Sequence, residues 1–158
     1  MTQIRKATWA DAQVCWDIRN LAILNQCTSY YPEYELSIWT RGALTTQFSQ
    51  VVAEHFYVAE SKNEILATGF VDFSKNQVEA LFVHPKAMGM GLGKQMLIYL
   101  EQLALDKAIK RLTLESTLNA ATFYRSQGYV GDEKTVYHSP RGIQLDCVKM
   151  TKKINAKH

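Results

Sequence analysis

Hydrophobic residues follow two different periods along this 158-residue chain, and the two periods predict a series of helices and strands. Apolar side chains recur three or four positions apart in the longer segments, which is the spacing of one helix face. Shorter segments rich in apolar residues end in polar or glycine-containing turns, which is typical of strands. The predicted strands cover residues 4–7, 56–60, 65–74, 78–83, 112–116, 130–138 and 143–151. Four helices are predicted. The first begins at residue 8, and the others cover residues 35–48, 91–109 and 120–126.

This order of elements predicts an α/β (α+β) fold, in which a mixed central sheet of six to seven strands is flanked by about four helices. Thr8, with Asp11 three residues later, is a weaker form of the capping box and marks the start of the first helix. The chain has the length of one domain and contains no repeat or linker, so we expect a single domain over residues 1–158. Apolar residues make up 47% and charged residues 21%, which indicates a globular chain.

The net charge of +3 is mild. Nucleic-acid binding needs a concentrated basic surface, whereas the densest basic stretch here is a group of four lysines near the C-terminus. We interpret this group as a solvated tail. Its members are Lys149, Lys152, Lys153 and Lys157. An overall positive charge still suits a polyanionic ligand.

Cysteine and histidine spacing predicts no metal site. Cys15, Cys27 and Cys147 are widely spaced and form no CxxC pair, and the four histidines form no HExxH motif. We therefore expect neither a disulfide framework nor a zinc cluster. The N-terminal residues are polar, and no segment has the length and apolarity that a membrane span requires. We expect no metal, no membrane and a cytoplasmic protein.

Three glycines between a strand and a helix carry the clearest chemical signal. The strand ends at Pro85, and Gly89, Gly91 and Gly93 lead into the next helix. Glycines let backbone N–H groups approach an anion closely, and a helix N-terminus adds unpaired donors and a partial positive charge. The segment therefore predicts a diphosphate site, with a glycine-rich turn without a ligand as the alternative.

Two common phosphate-binding motifs do not fit this turn. A Walker A loop requires GxxxxGK[ST], but Met88 stands at the first glycine position and Gln95 at the Ser/Thr position. A dinucleotide fingerprint requires GxGxxG, but Lys94 stands at the third glycine position. A third pattern is [RQ]xxGx[GA] after a strand that ends in V-x-P. It fits Gly91-Leu92-Gly93 and Val83-His84-Pro85.

Together with two further segments, this turn makes the chain resemble the Gcn5-related N-acetyltransferases (GNAT). Residues 4–12 are similar to the family's opening IRxAxxxDA, and residues 119–129 are similar to NxxAxxFYxxxGF. The resemblance covers nearly the whole chain, and residues 141–150 resemble bacterial members of uncharacterised substrate. It implies the GNAT-like acyl-CoA N-acyltransferase fold, acetyl-CoA as co-substrate, and direct transfer of an acetyl group to a primary amine in a ternary complex.

The resemblance also assigns contacts to the coenzyme. The strand over residues 78–83 is expected to diverge from the strand over 112–116, so that the pantetheine arm enters the gap. Asn119 is expected to bond the arm, and Tyr124 to lie beside the thioester sulfur. Met88 departs from the family's Arg or Gln, which predicts somewhat weaker coenzyme binding. The remaining expected contacts are backbone groups of Leu81, Phe82, Val83, Met88, Gly89, Met90, Gly91, Leu92, Gly93 and Lys94.

Two side chains are candidates for the proton transfers in amine acetylation. A lysine-like amine has a pKa of ~10.4, so its neutral form at pH 7 costs about 4.6 kcal/mol, which a base can lower. Tyr124 resembles the family's acid, although a packed aromatic is the alternative interpretation. Glu79 is the leading base, because strand alternation places it on the face of Leu81 and Val83, where partial burial would raise its pKa. A solvent-facing carboxylate or a structural ion pair is the alternative interpretation of Glu79, and Glu115 or water could replace Glu79 as the base.

Aromatic and acidic residues between the first two predicted helices are candidates for the acceptor site. Aromatic rings and carboxylates suit a cationic amine, although loop packing explains them equally well. The candidates are Tyr30, Tyr31, Glu33 and Tyr34. The expected acceptor is an amine of a small molecule, peptide or protein, not a nucleic acid. Dimers are common in the GNAT family, so the resemblance also suggests a homodimer. A non-catalytic acyl-CoA-binding sensor or regulatory module is the alternative function.

Overall fold

Seven strands form one mixed sheet in the computed structural model, which describes residues 2–155. The strand order is β1-β2-β3-β4-β5-β7-β6, and all neighbouring strands are antiparallel except β4 and β5. The strands are β1 Thr2–Lys6, β2 Phe56–Ser61, β3 Glu64–Asp72, β4 Gln77–Val83, β5 Arg111–Thr117, β6 Val130–His138 and β7 Gln144–Lys153. The predicted mixed sheet and its strand count are confirmed.

Five α-helices accompany the sheet within residues 2–155, one more than the sequence pattern predicted. They are α1 Ala12–Gln26, α2 Glu33–Trp39, α3 Thr46–His55, α4 Leu92–Asp106 and α5 Ala121–Ser126. The prediction of one helix over residues 35–48 is wrong. Gly42 adopts φ +92°, which a right-handed helix cannot contain. Thr45 then starts a new helix by accepting the Phe48 N–H at 3.0 Å.

The start of the first helix is tied to the first strand by one carboxylate. Asp11 accepts the backbone N–H of Thr8 at 2.8 Å and the guanidinium of Arg5 at 2.8 and 3.1 Å. The hydrogen bond from Arg5 holds the pKa of Asp11 below its usual value, against the opposing effect of burial. A 3-10 turn at Trp9–Asp11 then leads into α1. The Thr8–Asp11 signal therefore marks this helix start correctly.

Helices cover both faces of the sheet, and the packing beneath α4 is especially close. A Cβ atom added to Gly69 on β3 would lie 2.8 Å from Met96 Cγ on α4. Since real Cβ contacts are longer, only glycine lets the helix approach the sheet at this point. On the opposite face, α1 and α3 bury Cys15 and Val52 against the aromatic ring of Phe56. The sheet is thus the middle layer of three.

A buried charged group joins α4 to the end of the sheet. Glu101 on α4 accepts hydrogen bonds from the Lys152 ammonium at 3.0 and 3.1 Å and from the Tyr129 hydroxyl at 2.9 Å. Tyr129 is fully buried, which raises the pKa of its hydroxyl and keeps it a proton donor. The carboxylate is buried but has both a counter-ion and a hydrogen bond, which is the arrangement that a buried charge requires.

Replacing Tyr129 by Phe is expected to lower the free energy of unfolding by about 1.5–3 kcal/mol, because a hydrogen bond to a charged group contributes about that much. Equilibrium urea unfolding measures the change. Tyr99→Phe is the matched control: this α4 tyrosine is half-buried, and within residues 2–155 its hydroxyl makes no hydrogen bond. Equal losses in both variants would contradict the assigned role of the Tyr129–Glu101 bond.

Candidate active site

The two central parallel strands are paired only at their beginnings. In the register of β4 with β5, Gln77 lies opposite Thr113 and Val78 opposite Leu114, and the pairing stops there. From Glu79 onward, the edge of β4 that faces β5 is free, while β5 continues to pair with β7 as far as Thr117. The sheet therefore contains a gap that opens between two strands at its centre.

The ladder between β3 and β4 determines which backbone groups face this gap. The His84 N–H donates to the Leu66 carbonyl at 2.8 Å, and hydrogen-bonded pairs alternate along an antiparallel ladder. Leu81 and Val83 therefore direct their N–H and carbonyl groups into the gap. Phe82 directs its groups toward β3, so of the three predicted backbone contacts only two have free groups for a ligand.

A β-bulge changes the face on which Glu79 lies. The register shifts between Phe70 and Val71 on β3, and Glu79 is the unpaired residue on β4. Val78, Leu81 and Val83 all pack against the core beneath α4, which strict alternation could not produce. The expectation that Glu79 shares a face with Leu81 and Val83 is therefore wrong. Glu79 lies on the opposite side of the sheet, beneath α1.

The glycine turn leaves backbone donors free at the N-terminus of α4. Gly89 and Gly91 have φ +82° and +79°, and a Cβ added at either position would meet nothing within 4 Å. The first helical bond runs from the Gln95 N–H to the Gly91 carbonyl at 3.0 Å. Within residues 2–155, the N–H groups of Leu92, Gly93 and Lys94 have no acceptor, and no side chain caps the helix. These donors are available to an anion.

Two cavities adjoin the gap, and we call them the glycine-turn cavity and the sheet cavity. The glycine-turn cavity has a volume of about 370 Å³. Ten of the predicted coenzyme contacts line it: Leu81, Val83, Met88, Gly89, Gly91, Leu92, Gly93, Lys94, Asn119 and Tyr124. Phe82 lines the sheet cavity instead, and Met90 is 60% exposed and lines neither.

The sheet cavity lies on the opposite side, beneath α1 and α2, and has a volume of about 250 Å³. Its polar and aromatic lining includes Arg19, Tyr31, Trp39, Glu79, Glu115, Tyr137 and Asp146. Asn119 and Tyr124 line both cavities, together with Leu81 and the neighbouring Gln26 and Ala120. The two cavities therefore meet at the first turn of α5.

Tyr124 lines both cavities and is therefore part of their junction. The residue is 8% exposed, and its ring is held edge-on against Phe123 and Tyr129, with centroids 5.2 and 5.8 Å away. Among residues 2–155 no group hydrogen-bonds this hydroxyl, and burial raises its pKa well above the usual value. The neighbouring Asn119 accepts the Cys27 thiol at 3.3 Å through Oδ1. Because its pKa is raised, the Tyr124 hydroxyl stays protonated at neutral pH and can donate a proton.

Two carboxylates of the sheet cavity lie close enough to influence each other. Partial burial raises the pKa of Glu79, and the negative charges of Asp72 and Glu115 act in the same direction, while Lys75 opposes them. Glu115 approaches the Cys147 thiol at 4.0 Å. Glu79 lines the sheet cavity but is itself exposed, and its raised pKa makes it a better proton acceptor than an ordinary glutamate.

The predicted acceptor loop contributes one residue to the sheet cavity. Tyr31 is buried; its hydroxyl donates to the Asp146 carbonyl and accepts the Leu118 N–H at 3.0 Å. Burial raises the pKa of Tyr31 to about 12. Tyr30 and Tyr34 are exposed, as is Glu33, and all three lie outside both cavities. Their role in acceptor binding stays a prediction.

Sequence reasoning missed Arg19, Trp39 and Tyr137, which complete the sheet cavity. One signal was present for Arg19. It lies in the apolar stripe of α1, between Ile18 and Ala22, where a charged residue is unusual. Nothing in the sequence distinguished Tyr137 from other residues of an edge strand.

Comparison with known proteins decides the family. The family model described as the acetyltransferase (GNAT) domain matches residues 53–131, which is half of the chain. This protein belongs to the GNAT family. A curated relative, the uncharacterized N-acetyltransferase ycf52-like of Prochlorococcus marinus, is 36% identical over 52 residues. That match covers 33% of this chain and only 29% of the relative.

Solved GNAT structures share the fold along nearly the whole chain. A GCN5-related N-acetyltransferase from Rhodopseudomonas palustris has a TM-score of 0.89 at 22% identity. The matched region covers 98% of this chain and 96% of that protein's chain. The PaiA N-acetyltransferase of Thermoplasma acidophilum, in complex with coenzyme A, has a TM-score of 0.69 at 18% identity, with 98% and 99% covered. YncA of Salmonella typhimurium, with acetyl-CoA, has a TM-score of 0.64 at 21% identity, with 100% and 96% covered. The predicted GNAT fold is confirmed.

Residues 2–155 of the GNAT domain contain neither a clustered set of metal ligands nor a membrane-spanning helix. Within residues 2–155, no group of three or more His, Cys, Asp or Glu side chains is arranged to hold a metal ion. None of the helices described in that range is long and apolar enough to cross a bilayer.

Replacing Gly93 by Asp is expected to weaken acetyl-CoA binding by at least about tenfold, or 1.4 kcal/mol. The Cβ of residue 93 would point into the glycine-turn cavity between Phe123 and Val83, so the new carboxylate would occupy the anion site. A carboxylate in the first turn favours the helix itself, so the fold should persist. Isothermal titration calorimetry measures the affinity.

The matched control for this change is Gln95→Asp, which adds the same charge at an exposed position outside the cavity. We expect its dissociation constant to stay within about threefold of the wild-type value, or 0.7 kcal/mol. Equal affinities of the wild type and Gly93→Asp would show that the turn does not bind the diphosphate.

Proposed function

We propose that the protein transfers the acetyl group of acetyl-CoA to an amine, by direct attack within a ternary complex. The observation that supports this proposal most is that the glycine-turn cavity and the sheet cavity meet. One cavity holds free backbone donors for a diphosphate, the other holds carboxylates, and Tyr124 lines both. This arrangement can bring an activated acyl group and an amine together from opposite sides of the sheet.

The glycine-turn cavity fits the donor substrate in its backbone chemistry. The free N–H groups of Leu92, Gly93 and Lys94 would bind the diphosphate, and the free edge of Leu81 and Val83 would pair with an amide-containing arm. Acetyl-CoA supplies the activated acyl group and the thiol leaving group. The Met88 side chain adds no charge to the site, so binding relies on the main chain.

Tyr124 is the proposed general acid. Its hydroxyl has no protein partner among the described residues and therefore can donate to the departing sulfur. Asn119, at the same junction, would orient the arm through its side-chain amide.

Glu79 is the proposed general base. Its raised pKa makes Glu79 a stronger base than an ordinary glutamate. Glu79 also lines the cavity that would hold the amine. Deprotonating a lysine-like ammonium at pH 7 costs about 4.6 kcal/mol, which a nearby base reduces. Glu115 lines the same cavity and is the second candidate, acting directly or through water.

The function is tested by incubating purified protein with acetyl-CoA and a broad amine panel, with release of free thiol as the readout. We expect turnover with at least one amine, and we expect Tyr124→Phe to lower kcat by about 10²–10⁴-fold, the usual contribution of general acid–base catalysis. The dissociation constant of acetyl-CoA, measured by calorimetry, should change little. Tyr99→Phe, on the outer part of α4, is the matched control with unchanged kcat.

Acetyl-CoA binding without thiol release across the panel would favour the sensor over the enzyme. Turnover with an unaltered kcat in Tyr124→Phe would remove this hydroxyl from the acid role. Absence of any heat with acetyl-CoA and folded protein would overturn the proposal as a whole.

The pH dependence of the rate distinguishes the candidate bases. Because the pKa of Glu79 is raised, kcat/KM in the wild type should increase with pH through a value above the usual ~4.3 for glutamate and then level off. Glu79→Gln should lower kcat/KM by about 10²-fold or more and abolish this increase. Rates measured from pH 5 to pH 9 test the profile.

Glu115→Gln is the matched control, because it removes the neighbouring carboxylate of the same cavity. If Glu79 is the base, this variant keeps the pH-dependent increase but moves it to lower pH, since the negative charge of Glu115 contributes to the raised pKa of Glu79. Loss of the increase in Glu115→Gln alone would transfer the base role to Glu115.

A further inference from the structure

Arg19 places a largely enclosed guanidinium in the lining of the sheet cavity. Its central carbon lies 4.9 Å from the ring centroid of Trp16 and 5.7 Å from that of Trp39. The Nη1 atom donates to the Trp39 carbonyl at 3.1 Å and to Asn20 Oδ1 at 2.7 Å. The aromatic rings and these two bonds fix the plane of the guanidinium at one position in the cavity.

The Arg19 guanidinium forms no salt bridge within the part of the chain that the structure describes. Among residues 2–155, no carboxylate oxygen lies within 4.0 Å of the Arg19 guanidinium. The charge with the largest effect on Arg19 is another cation, Arg141, whose central carbon lies 5.3 Å from the centroid of the same Trp16 ring. Burial, together with Arg141, lowers the pKa of Arg19 to about 10, at which it is still protonated at pH 7. Enclosed charges are normally paired, so this one favours an anionic ligand.

The opposite charge occupies another part of the same cavity. Glu79 and Glu115 line the sheet cavity, and the Tyr137 hydroxyl lies near enough to both carboxylates and to Arg19 for all three charges to affect its pKa. The net effect of the cavity is to raise the pKa of Tyr137, chiefly through burial. The cavity therefore contains a cation, two carboxylates and a neutral hydroxyl that is close enough to be affected by all three charges.

We infer that the acceptor is a small amine that also carries a carboxylate, with Arg19 binding the carboxylate and Glu79 and Glu115 holding the amine. The inference rests on the proposed function and specifies its substrate class. Arg19 is a fork of donors that suits a carboxylate in bidentate geometry. A polyamine would place a second ammonium beside Arg19 and be repelled. The volume of about 250 Å³ suits an acceptor of amino-acid size.

The wild-type protein tests the inference without any variant. The probes are the standard free amino acids and a graded series of ω-amino acids, each paired with its primary carboxamide. We expect at least one free acid to be acetylated with a kcat/KM about 10- to 100-fold above that of its amide, the range of one charge-assisted hydrogen bond. For α-amino acids the amide has the lower amine pKa and hence more neutral amine, so this comparison is biased against the expected result.

The variants Arg19→Gln and Arg19→Lys test whether Arg19 causes the preference for the acid over its amide. In Arg19→Gln the acid and amide of the preferred pair should differ by less than about threefold, through a higher KM for the acid with kcat for the amide unchanged. Arg19→Lys keeps the charge without the fork and should retain part of the preference. Arg41→Gln is the matched control, because this arginine is exposed and lies outside both cavities. Acetyl-CoA affinity confirms that each variant is folded.

The outcomes separate this inference from the proposed function. Equal use of acids and amides by the wild type, or an Arg19→Gln variant that keeps the acid preference, overturns the inference while acetylation itself stands. If no probe is acetylated, calorimetry of the same acid–amide pairs on coenzyme A-saturated protein decides: tighter binding of an acid that is lost in Arg19→Gln supports the inference. No difference in binding overturns it. Failure of acetyl-CoA to bind overturns the proposed function separately.

Discussion

The structure depends on the brevity of the parallel pairing between β4 and β5. Two registered positions, at Gln77 and Val78, hold the strands together, and the rest of β4 leaves its backbone groups unpaired on that side. Unpaired backbone groups inside a protein require a partner, so these groups are available to a ligand that enters the gap. The bulge at Glu79 belongs to the same irregularity, because it turns a carboxylate to the face opposite the glycine turn.

The two sides of this gap differ in the groups that they offer to a ligand, which are mainly backbone groups on one side and side chains on the other. On the glycine-turn side the available groups belong mainly to the main chain, so substitutions such as Met88 for a basic or amide residue change the site little. On the sheet-cavity side the groups are side chains from α1, α2, α3 and five strands, so this side can change without disturbing the glycine turn. Within residues 2–155, the residues that line both cavities are Gln26, Leu81, Asn119, Ala120 and Tyr124.

Local signals in the sequence predicted the donor side better than the acceptor side. The turn through Gly89 and Gly91 is specified within a few residues, and its free donors follow from helix geometry. The face of Glu79 depends on a register shift against β3, and the position of Arg19 depends on how α1 packs across the sheet; neither is encoded locally. The error over residues 35–48 had a local cause, the left-handed Gly42.

The three cysteines are all kept as thiols, and this affects what can happen to a thioester held nearby. Burial is the main cause that raises the pKa of Cys15 to about 12 and those of Cys27 and Cys147 to about 11. Because these pKa values lie well above 7, the nucleophilic thiolate is the minor form of Cys27 and Cys147 at neutral pH. Cys27 touches Asn119 and Cys147 lines the sheet cavity, yet neither is poised to capture an acyl group. The enclosure of these sulfurs therefore protects the protein from acylating itself.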